Sequence, residues 1–283
     1  MSVDIAIADT YIGSPMDSAD PVFGAPPKTG NRCAGSERTV LGRVATIMDA
    51  FNGTQRVLSL GDLSQHTGLP KSTLHRLADQ LCQVGWIRRA PGGYRIGMRM
   101  FELGSLALEA ERIREVAYPH LRVLAARTEM YVHLSIPEGT EVIHLDRIAS
   151  GPLRLATRRG ERAPAYCTAL GKAIAAFDDD IADAILNAPM PRRTAHTIFE
   201  PDSFLNELQR VRSSGIAVDR GGFHEGLICI AAPIRQSHNV IGAVSVTGAA
   251  GKIRGEAAAA AVRGTAESIV NAISIKSRKL HSY

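Results

Sequence analysis

The chain has 283 residues, enough for two domains, and its 45% hydrophobic and 22% charged residues are ordinary for a globular protein. No apolar run approaches the ~20 residues that span a bilayer, and the amino terminus lacks the basic start and apolar stretch of a signal peptide. The four cysteines are far apart, which argues against a disulfide framework or a zinc site. We therefore expect a cytoplasmic protein without a metal or cofactor and without a membrane partner.

The net charge of +5 is concentrated in one part of the chain. Residues 36–100 carry nine basic and four acidic side chains, residues 101–283 carry 22 and 20, and residues 1–35 carry two and four. A localised basic segment is typical of a nucleic-acid-binding module, although a merely solvated basic face would show the same charge.

The first third of the chain predicts a tail followed by short helices. Residues 1–35 contain scattered prolines and glycines without a sustained period, which predicts a flexible tail, and order is expected to begin near Ser36, a suitable N-cap. A first helix, ending at Asn52-Gly53, is indicated by apolar residues at helical spacing: Val40, Leu41, Val44, Ile47, Met48 and Phe51.

A second helix is predicted from Leu60 to Thr67, with Leu60 and Leu63 facing inward. The turn Gly68-Leu69-Pro70 leads into a third helix that ends at Gly85, and Pro70 suits the first helical position. The apolar stripe of the third helix comprises Leu74, Leu77, Leu81 and Val84.

Two short strands and a long helix are predicted next. The strands contain Trp86, Ile87 and Arg89, then Tyr94 and Ile96, and Pro91-Gly92-Gly93 turns between them. Met98 to about Ala117 is predicted to be a linker helix. Pro119 either interrupts this helix or starts the next one.

From Tyr131 the pattern changes to strands alternating with helices. The predicted strands are Tyr131–Ile136, Glu141–Ile148, Leu153–Thr157, Ile216–Asp219, Leu227–Ile234 and Val240–Thr247, the last two forming a hairpin around His238-Asn239. The predicted helices are Thr168–Phe177, Asp180–Leu186, Asp202–Ser213 and an Ala-rich helix from Arg254 to about Ile275. This order predicts an α+β domain with an antiparallel sheet.

The second and third helices fit a helix-turn-helix, in which the third would be the recognition helix. Its face opposite the apolar stripe carries hydrogen-bonding side chains: Lys71, Ser72, Thr73, His75, Arg76 and Gln80. Arg76 is suited to bidentate contact with guanine. The hairpin arginines Arg88, Arg89 and Arg95 are suited to the phosphate backbone or the minor groove. A small helical domain with a solvated polar face is the alternative, but the localised charge favours DNA.

Three ordered segments resemble the IclR family of bacterial transcription regulators. They are LSQHTGLPKSTLHRL at residues 63–77, PAYCTALGKA at 164–173, and EGLICIAAPI at 225–234 followed by AVSVTG at 243–248. The resemblance covers about residues 36–275. It implies a winged helix-turn-helix at residues 36–97, a linker helix at 98–117 and a GAF/profilin-like effector domain at 118–283.

The resemblance also implies partners. Members of the family act as repressors or activators, form dimers that can pair into tetramers, and change operator binding when a small metabolite binds the C-terminal domain. The expected partners are therefore double-stranded DNA with a pseudo-palindromic operator, a second copy of the chain, and an organic acid or aromatic-catabolism intermediate.

The resemblance places the effector site at Ala169, Leu170, Asp219, Cys229, Ser245 and Thr247. The residues agree in part, because a helix starting near Thr168 would offer free N–H groups to a carboxylate, and Ser245 and Thr247 share one face of a strand. Without the resemblance, packing or turn roles are the favoured explanation for each of these residues. Arg220-Gly221-Gly222 departs from the family, which often has acidic residues there, and Arg220 suggests an anionic ligand.

Two other functions stay open at this point. Cys167 precedes a predicted helix, so an enzyme could use it as a nucleophile with His196, His224 or His238 as the base. A ligand sensor could instead signal to a protein partner, although the arginines of the hairpin and the polar face of the third helix favour DNA. Gly171-Lys172 lacks the other residues of a phosphate-binding loop.

Overall fold

A computed structural model describes residues 39–52, 55–110, 112–151, 153, 155, 157–237, 239–251 and 253–280. The predicted tail, Ser36, Gly53 and His238 lie outside the described residues. The chain divides into two compact units, and their boundary falls at residue 111. None of the described helices combines the length and the apolar character needed to cross a membrane.

The first unit is a winged helix-turn-helix, as predicted. Its elements are α1 Val40–Ala50, α2 Leu60–Thr67, α3 Lys71–Gln83, β1 Ile87–Ala90, β2 Gly93–Ile96 and α4 Met98–Ala110. The core is formed by Ile47, Leu58, Leu63, Leu74, Leu77, Ala78, Leu81, Ile87 and Tyr94. Burial of this shared apolar surface holds the three helices and the hairpin together, since none of them is long enough to be stable alone.

Three residues predicted to face this core are exposed instead. Val40 and Leu41 are 59% and 78% exposed, and Val84 is 57% exposed. Val40 and Leu41 lie in the first turn of α1 and Val84 is the C-cap of α3, so helical spacing carries them past the region where the helices meet.

Local signals set the turn between α2 and α3. Ser59 and Asp62 form a capping box at the start of α2, with each side chain accepting the backbone N–H of the other. Gly68 ends α2 with a φ of 70°, a conformation that costs glycine little. Pro70 is the N-cap of α3, one position before the predicted one.

The second unit is built on one antiparallel sheet. Its elements are α5 Arg112–Thr128, β3 Tyr131–Glu138, β4 Glu141–Ile148, β5 Arg162–Pro164, α6 Ala169–Ala175, α7 Asp179–Leu186, α8 Pro201–Ser214, β6 Ala217–Arg220, β7 Leu227–Gln236, β8 Asn239–Ala249 and α9 Gly255–Leu280. The strand order is β5-β4-β3-β8-β7-β6. Helices α5 and α9 pack on one face and α6 with α8 on the other, so the predicted α+β class is confirmed.

The predicted linker helix is wrong in its extent. Residues 98–110 lie in α4 and residues 112–117 in α5, which continues through Pro119 to Thr128, so the helical structure does not end near Ala117 as predicted. A proline within a helix removes one hydrogen bond. Here α5 continues because Ala117, Leu121 and Leu124 are buried in the core shared with α9.

The strand predicted at Leu153–Thr157 is also wrong. The described residues Leu153, Leu155 and Thr157 are not in a strand, and β5 takes the edge position beside β4. The guanidinium of Arg147 donates hydrogen bonds to the carbonyls of Leu155 and Thr157, so a side chain satisfies backbone groups that a strand would have paired.

Helix α6 lies so close to residue 165 that only glycine fits at position 171. A Cβ at Gly171 would overlap the main chain of Ala165, whereas a Cβ at Gly264 in α9 would meet nothing. We expect Gly171→Ala to lower the free energy of unfolding by about 1–3 kcal/mol through overpacking. Gly264→Ala, the matched control, should raise it by about 0.5–1 kcal/mol. Urea unfolding of both variants checks this, and equal effects would contradict the close approach.

Candidate functional site

The side chains predicted to read DNA lie on the surface of the first unit. Lys71, Ser72, His75, Arg76 and Gln80 are exposed on α3, and Thr73 is half-buried. They lie opposite the buried stripe of the same helix, which faces the core. We call these five exposed residues the α3 surface. A helix that projects polar and basic side chains from its N-terminal half has the form that enters a major groove.

The hairpin arginines have two different environments. Arg88 and Arg95 are exposed cross-strand partners, so their side chains share one face of the hairpin. Arg89 is tied to α3, because its Nη2 lies 2.6 Å from Oδ1 of Asp79 and its guanidinium lies 5.5 Å from the centre of the Tyr94 ring. Arg89 therefore contacts α3 from the hairpin, through an ion pair that remains largely exposed to solvent.

Asp79 is a residue that the sequence analysis missed. Its second oxygen, Oδ2, lies 3.1 Å from Nδ1 of His75, and its first binds Arg89. The four-residue spacing of His75 and Asp79 on one helix was the available signal. Through Asp79 the hairpin and the α3 surface are linked by side-chain contacts.

A pocket opens beside the sheet of the second unit, enclosing about 530 Å³ with the solvent at its mouth included. It is lined by His133, His144, Leu155, Thr157, Ala163, Thr168, Ala169, Leu170, Asp219, Phe223, His224, Leu227, Cys229 and Thr247. The structure thus brings together five of the six residues selected from the sequence: Ala169, Leu170, Asp219, Cys229 and Thr247. Ser245 is fully buried and does not line the pocket.

Asp219 also has a structural role. Its carboxylate accepts the backbone N–H groups of Gly222 and Phe223 at 2.6 and 3.3 Å, which shapes the turn after β6. Burial raises the pKa of Asp219, and the nearby Lys172 ammonium opposes that rise. Arg220, suggested as an anion contact, is exposed and is not among the lining residues.

The cysteines of this unit are not activated thiols. Burial raises the pKa of Cys229 to about 11, and the Thr247 hydroxyl donates a hydrogen bond to its sulfur at 3.2 Å. Burial raises the pKa of Cys167 to about 12. A nucleophilic cysteine needs the opposite shift, so these environments argue against the enzyme hypothesis.

One backbone N–H in the first turn of α6 already has a hydrogen-bond partner within the protein. The Thr168 hydroxyl accepts the N–H of Gly171 at 3.1 Å, and the helix has seven residues. One of the N–H groups that were predicted to be free for a ligand carboxylate is thus already hydrogen-bonded.

Two of the three pocket histidines, His133 and His144, were missed by the sequence analysis, which considered the third, His224, only as a possible catalytic base. His133 lies on β3 and His144 on β4, and His224 follows β6 in a loop. Burial lowers the pKa of His224 to about 4, with a further contribution from Arg193. A histidine inside an otherwise apolar strand, as at position 133, was the signal that could have found the first of them.

Basic side chains stand near the pocket without lining it. Arg147 lies behind Thr157 and over the Tyr131 ring, at 5.7 Å from its centre. Arg193 lies 5.2 Å from the centre of the Phe223 ring. The buried ammonium of Lys172 binds Glu207 at 3.1 Å and the carbonyl of Val218. These positive charges favour negative charge inside the pocket.

A winged helix-turn-helix with an exposed basic reading helix, joined in one chain to an α+β unit that encloses a pocket, defines a DNA-binding transcription regulator. Residues 40–91 match the IclR helix-turn-helix domain, and residues 105–274 match the C-terminal domain of the bacterial transcriptional regulator IclR. The chain therefore belongs to the IclR family.

Named relatives agree with this assignment. The chain is 33% identical over 215 residues to the HTH-type transcriptional regulator XynR of Escherichia coli, covering 72% of this chain and 84% of that protein. It is 32% identical over 214 residues to the glycerol operon regulatory protein of Streptomyces coelicolor, covering 74% and 84%. These proteins are regulators, which supports the prediction that the chain is not an enzyme.

Solved structures have the same fold. An IclR homologue from Microbacterium hydrocarbonoxydans, complexed with 4-hydroxybenzoate, superposes with a TM-score of 0.73 at 28% identity, covering 84% of this chain and all of that one. The IclR protein of Thermotoga maritima superposes with a TM-score of 0.67 at 26% identity, covering 82% and 97%.

Proposed function

We propose that two copies of this chain bind a pseudo-palindromic operator through the α3 surface and the hairpin arginines Arg88 and Arg95, and that a small organic acid in the pocket controls this binding. The observation that supports the DNA-binding part most directly is the exposure of the α3 surface opposite a fully packed core. Half-sites should lie about one helical turn apart, or a multiple of it.

Exposed apolar side chains on α4 support self-association. Met98, Phe101, Leu103 and Leu106 are between 39% and 67% exposed on a single helix. Apolar surface of this kind is normally covered by another protein surface. We infer that α4 contributes to the dimer contact and that dimers pair into tetramers.

The class of effector follows from the lining of the pocket and its surroundings. Leu155, Leu170, Phe223 and Leu227 offer apolar contacts. The lining hydroxyls of Thr157, Thr168 and Thr247 add polar atoms that already bond to protein groups. The nearby cations Arg147, Arg193 and Lys172 favour an anion. This combination suits a small carboxylic acid with an apolar or aromatic body, the chemistry of the 4-hydroxybenzoate bound by the Microbacterium hydrocarbonoxydans homologue.

Control of the operator requires that the acid bind the DNA-competent and DNA-incompetent states with different affinity. The affinity ratio sets the largest change in operator binding that the effector can produce.

A gel shift with the upstream region of the chain's own gene tests the DNA-binding part. We expect a complex at low ionic strength whose affinity falls steeply with salt, because phosphate contacts release counterions. An absence of affinity for any duplex would contradict the proposal and would leave a sensor that signals to a protein partner.

A thermal-shift screen of small organic acids tests the effector part. An acid that occupies the pocket should raise the unfolding temperature of the full chain and change the gel shift in the same concentration range. Stabilisation without any change in operator affinity would contradict control of DNA binding by the acid.

A further inference from the structure

Two buried histidines from neighbouring strands form part of the pocket lining. His133 and His144 are 4% and 6% exposed, and their ring centres lie 4.9 Å apart. Nε2 of His133 lies 2.9 Å from Oγ1 of Thr157, and Nδ1 of His144 lies 2.7 Å from Oγ of Ser135. Each ring uses one nitrogen in these bonds, which leaves the other nitrogen for a ligand. We call these two residues the histidine pair.

The histidine pair is uncharged at neutral pH. Burial lowers the pKa of His144 to about 4. Burial lowers the pKa of His133 well below its usual value, and the neighbouring His144 and the Arg147 guanidinium lower it further. No carboxylate among the described residues is paired with either ring, so nothing there compensates a proton on them.

The other groups around the pair are already engaged. Arg147 binds two carbonyls, and Asp219 accepts two backbone N–H groups. The Cys229 sulfur accepts from Thr247. Two further neighbours contact His133: Tyr131 stacks on its ring, and Ser245 is its strand partner. The backbone carbonyl of Glu161 accepts the backbone N–H of His144. His224 also lines the pocket. No lysine or arginine appears in the described lining.

We infer that the pocket takes up a proton together with its acid, and that the histidine pair is the group that recognises the carboxylate. One proton from solvent is added to a ring nitrogen of the pair, and the resulting imidazolium donates a hydrogen bond to the ligand carboxylate. This inference rests on the proposed effector function and names the charge class of the ligand: a monoanion rather than a sugar, phenol or amide.

A proton on the histidine pair compensates the charge of a carboxylate bound in the pocket. A carboxylate placed in this buried lining would lose its hydration, and the nearest cations act on it only from behind other residues. A proton on the histidine pair supplies a direct counter-charge and a charge-assisted hydrogen bond. The carboxylate in turn opposes the effect of burial on the pKa of the pair, because a nearby negative charge favours the protonated imidazole.

The sign of the pH dependence follows by linkage. The pKa of the pair is raised in the complex above its value in the free protein, so binding is strengthened by acid and lost as pH rises through the raised value. Where one proton is taken up, affinity should fall about tenfold per pH unit. Measurements should stay above about pH 5.5, because the ligand carboxyl itself is protonated in stronger acid.

Calorimetric titration of the full chain tests the inference. The probes are three monocarboxylates, 4-hydroxybenzoate, benzoate and phenylacetate, each compared with its neutral amide, in buffers of different ionisation enthalpy. We expect binding of each acid to be accompanied by the uptake of close to one proton by the protein near pH 6, and its affinity to fall by up to about tenfold per unit as the pH rises toward 8. The amide should bind with an affinity that does not change with pH.

Two variants locate the proton. His133→Gln and His144→Asn keep the hydrogen bonds to Thr157 and Ser135 but cannot become cations, and His120→Gln on α5, outside the pocket lining, is the matched control. In the double variant we expect proton uptake near zero and an acid affinity at least about tenfold lower near pH 6. Binding of the amide and the unfolding temperature should stay near those of the parent chain.

The outcomes separate the two proposals. An acid that binds without proton uptake, or that keeps its uptake in the double variant, overturns the role of the histidine pair and leaves the effector function standing. Failure of all three acids to bind overturns the acid class itself, and the inference with it. If the double variant fails to fold, the proton uptake of the parent chain still decides whether a proton accompanies the acid.

Discussion

Replacement of Arg76 by alanine is expected to weaken binding to the operator by about 1–3 kcal/mol while leaving the fold intact. Arg76 is exposed on α3, one residue before the buried Leu77, so its removal leaves the packed side of the helix unchanged. A guanidinium in this position of a recognition helix can donate two hydrogen bonds to one guanine, and alanine can donate none. The loss of affinity should therefore affect the complex with the operator and not the complex with other DNA sequences.

Fluorescence anisotropy with the operator and with a scrambled duplex of equal length measures this effect. The operator affinity of Arg76→Ala should approach its affinity for the scrambled duplex, with the salt dependence little changed. Arg99→Ala is the control, because Arg99 is an exposed arginine of the same unit that lies on α4 and pairs with Glu102. Equal losses on both duplexes would make Arg76 a phosphate contact, and loss of folding would make it structural.

Much of the first unit could be predicted because its signals are local. The bounds of α2 follow from the capping pair Ser59 and Asp62 and from Gly68, all within ten residues of each other. The division of α3 into a packed and an exposed face follows from helical spacing. The same reasoning failed at Val40 and Val84, which are exposed. The apolar spacing continues to these residues, but they lie beyond the part of each helix that packs against the core.

The pocket could be predicted only in part because most of its members meet through long-range pairing. Asp219, Cys229 and Thr247 were found through the family resemblance, and the strand register places Cys229 beside both others. His133 and His144 approach each other through the pairing of β3 with β4, which includes a register shift at residues 134 and 135. Residues 155 and 157 reach the pocket because the Arg147 side chain binds their carbonyls. No local sequence pattern predicts these hydrogen bonds from Arg147.

Replacement of Lys172 by methionine is expected to have the largest effect on stability, lowering the free energy of unfolding by about 3–5 kcal/mol. The Lys172 side chain is 4% exposed on α6, and its Nζ lies 3.1 Å from Oε1 of Glu207, which is 14% exposed. It also binds the carbonyl of Val218 and acts on the buried Asp219. Methionine fills a similar volume, so the loss measures the buried charge rather than a cavity.

The pH dependence gives this prediction a second readout. Burial favours the neutral form of Glu207, but Lys172 and Arg210 outweigh it and lower its pKa. Glu207 thus contributes stability above its unfolded pKa of about 4.3, and that contribution is lost as pH falls through the lower folded value. In Lys172→Met the carboxylates of the partly buried Glu207 and the buried Asp219 lose their common cation, so the loss in the free energy of unfolding should grow as pH rises from about 5 to 8.

Matched variants decide whether the cost comes from the buried pair. Arg210 binds the same Glu207 at 2.8 Å but is 69% exposed, and Arg210→Ala should cost no more than about 1 kcal/mol. Adding Glu207→Gln to Lys172→Met should recover part of the loss, because one uncompensated carboxylate is removed. Urea unfolding at several pH values measures all three variants. A loss below about 1 kcal/mol in Lys172→Met, or no recovery in the double variant, would show that α6 and β6 are held together by their apolar contacts alone.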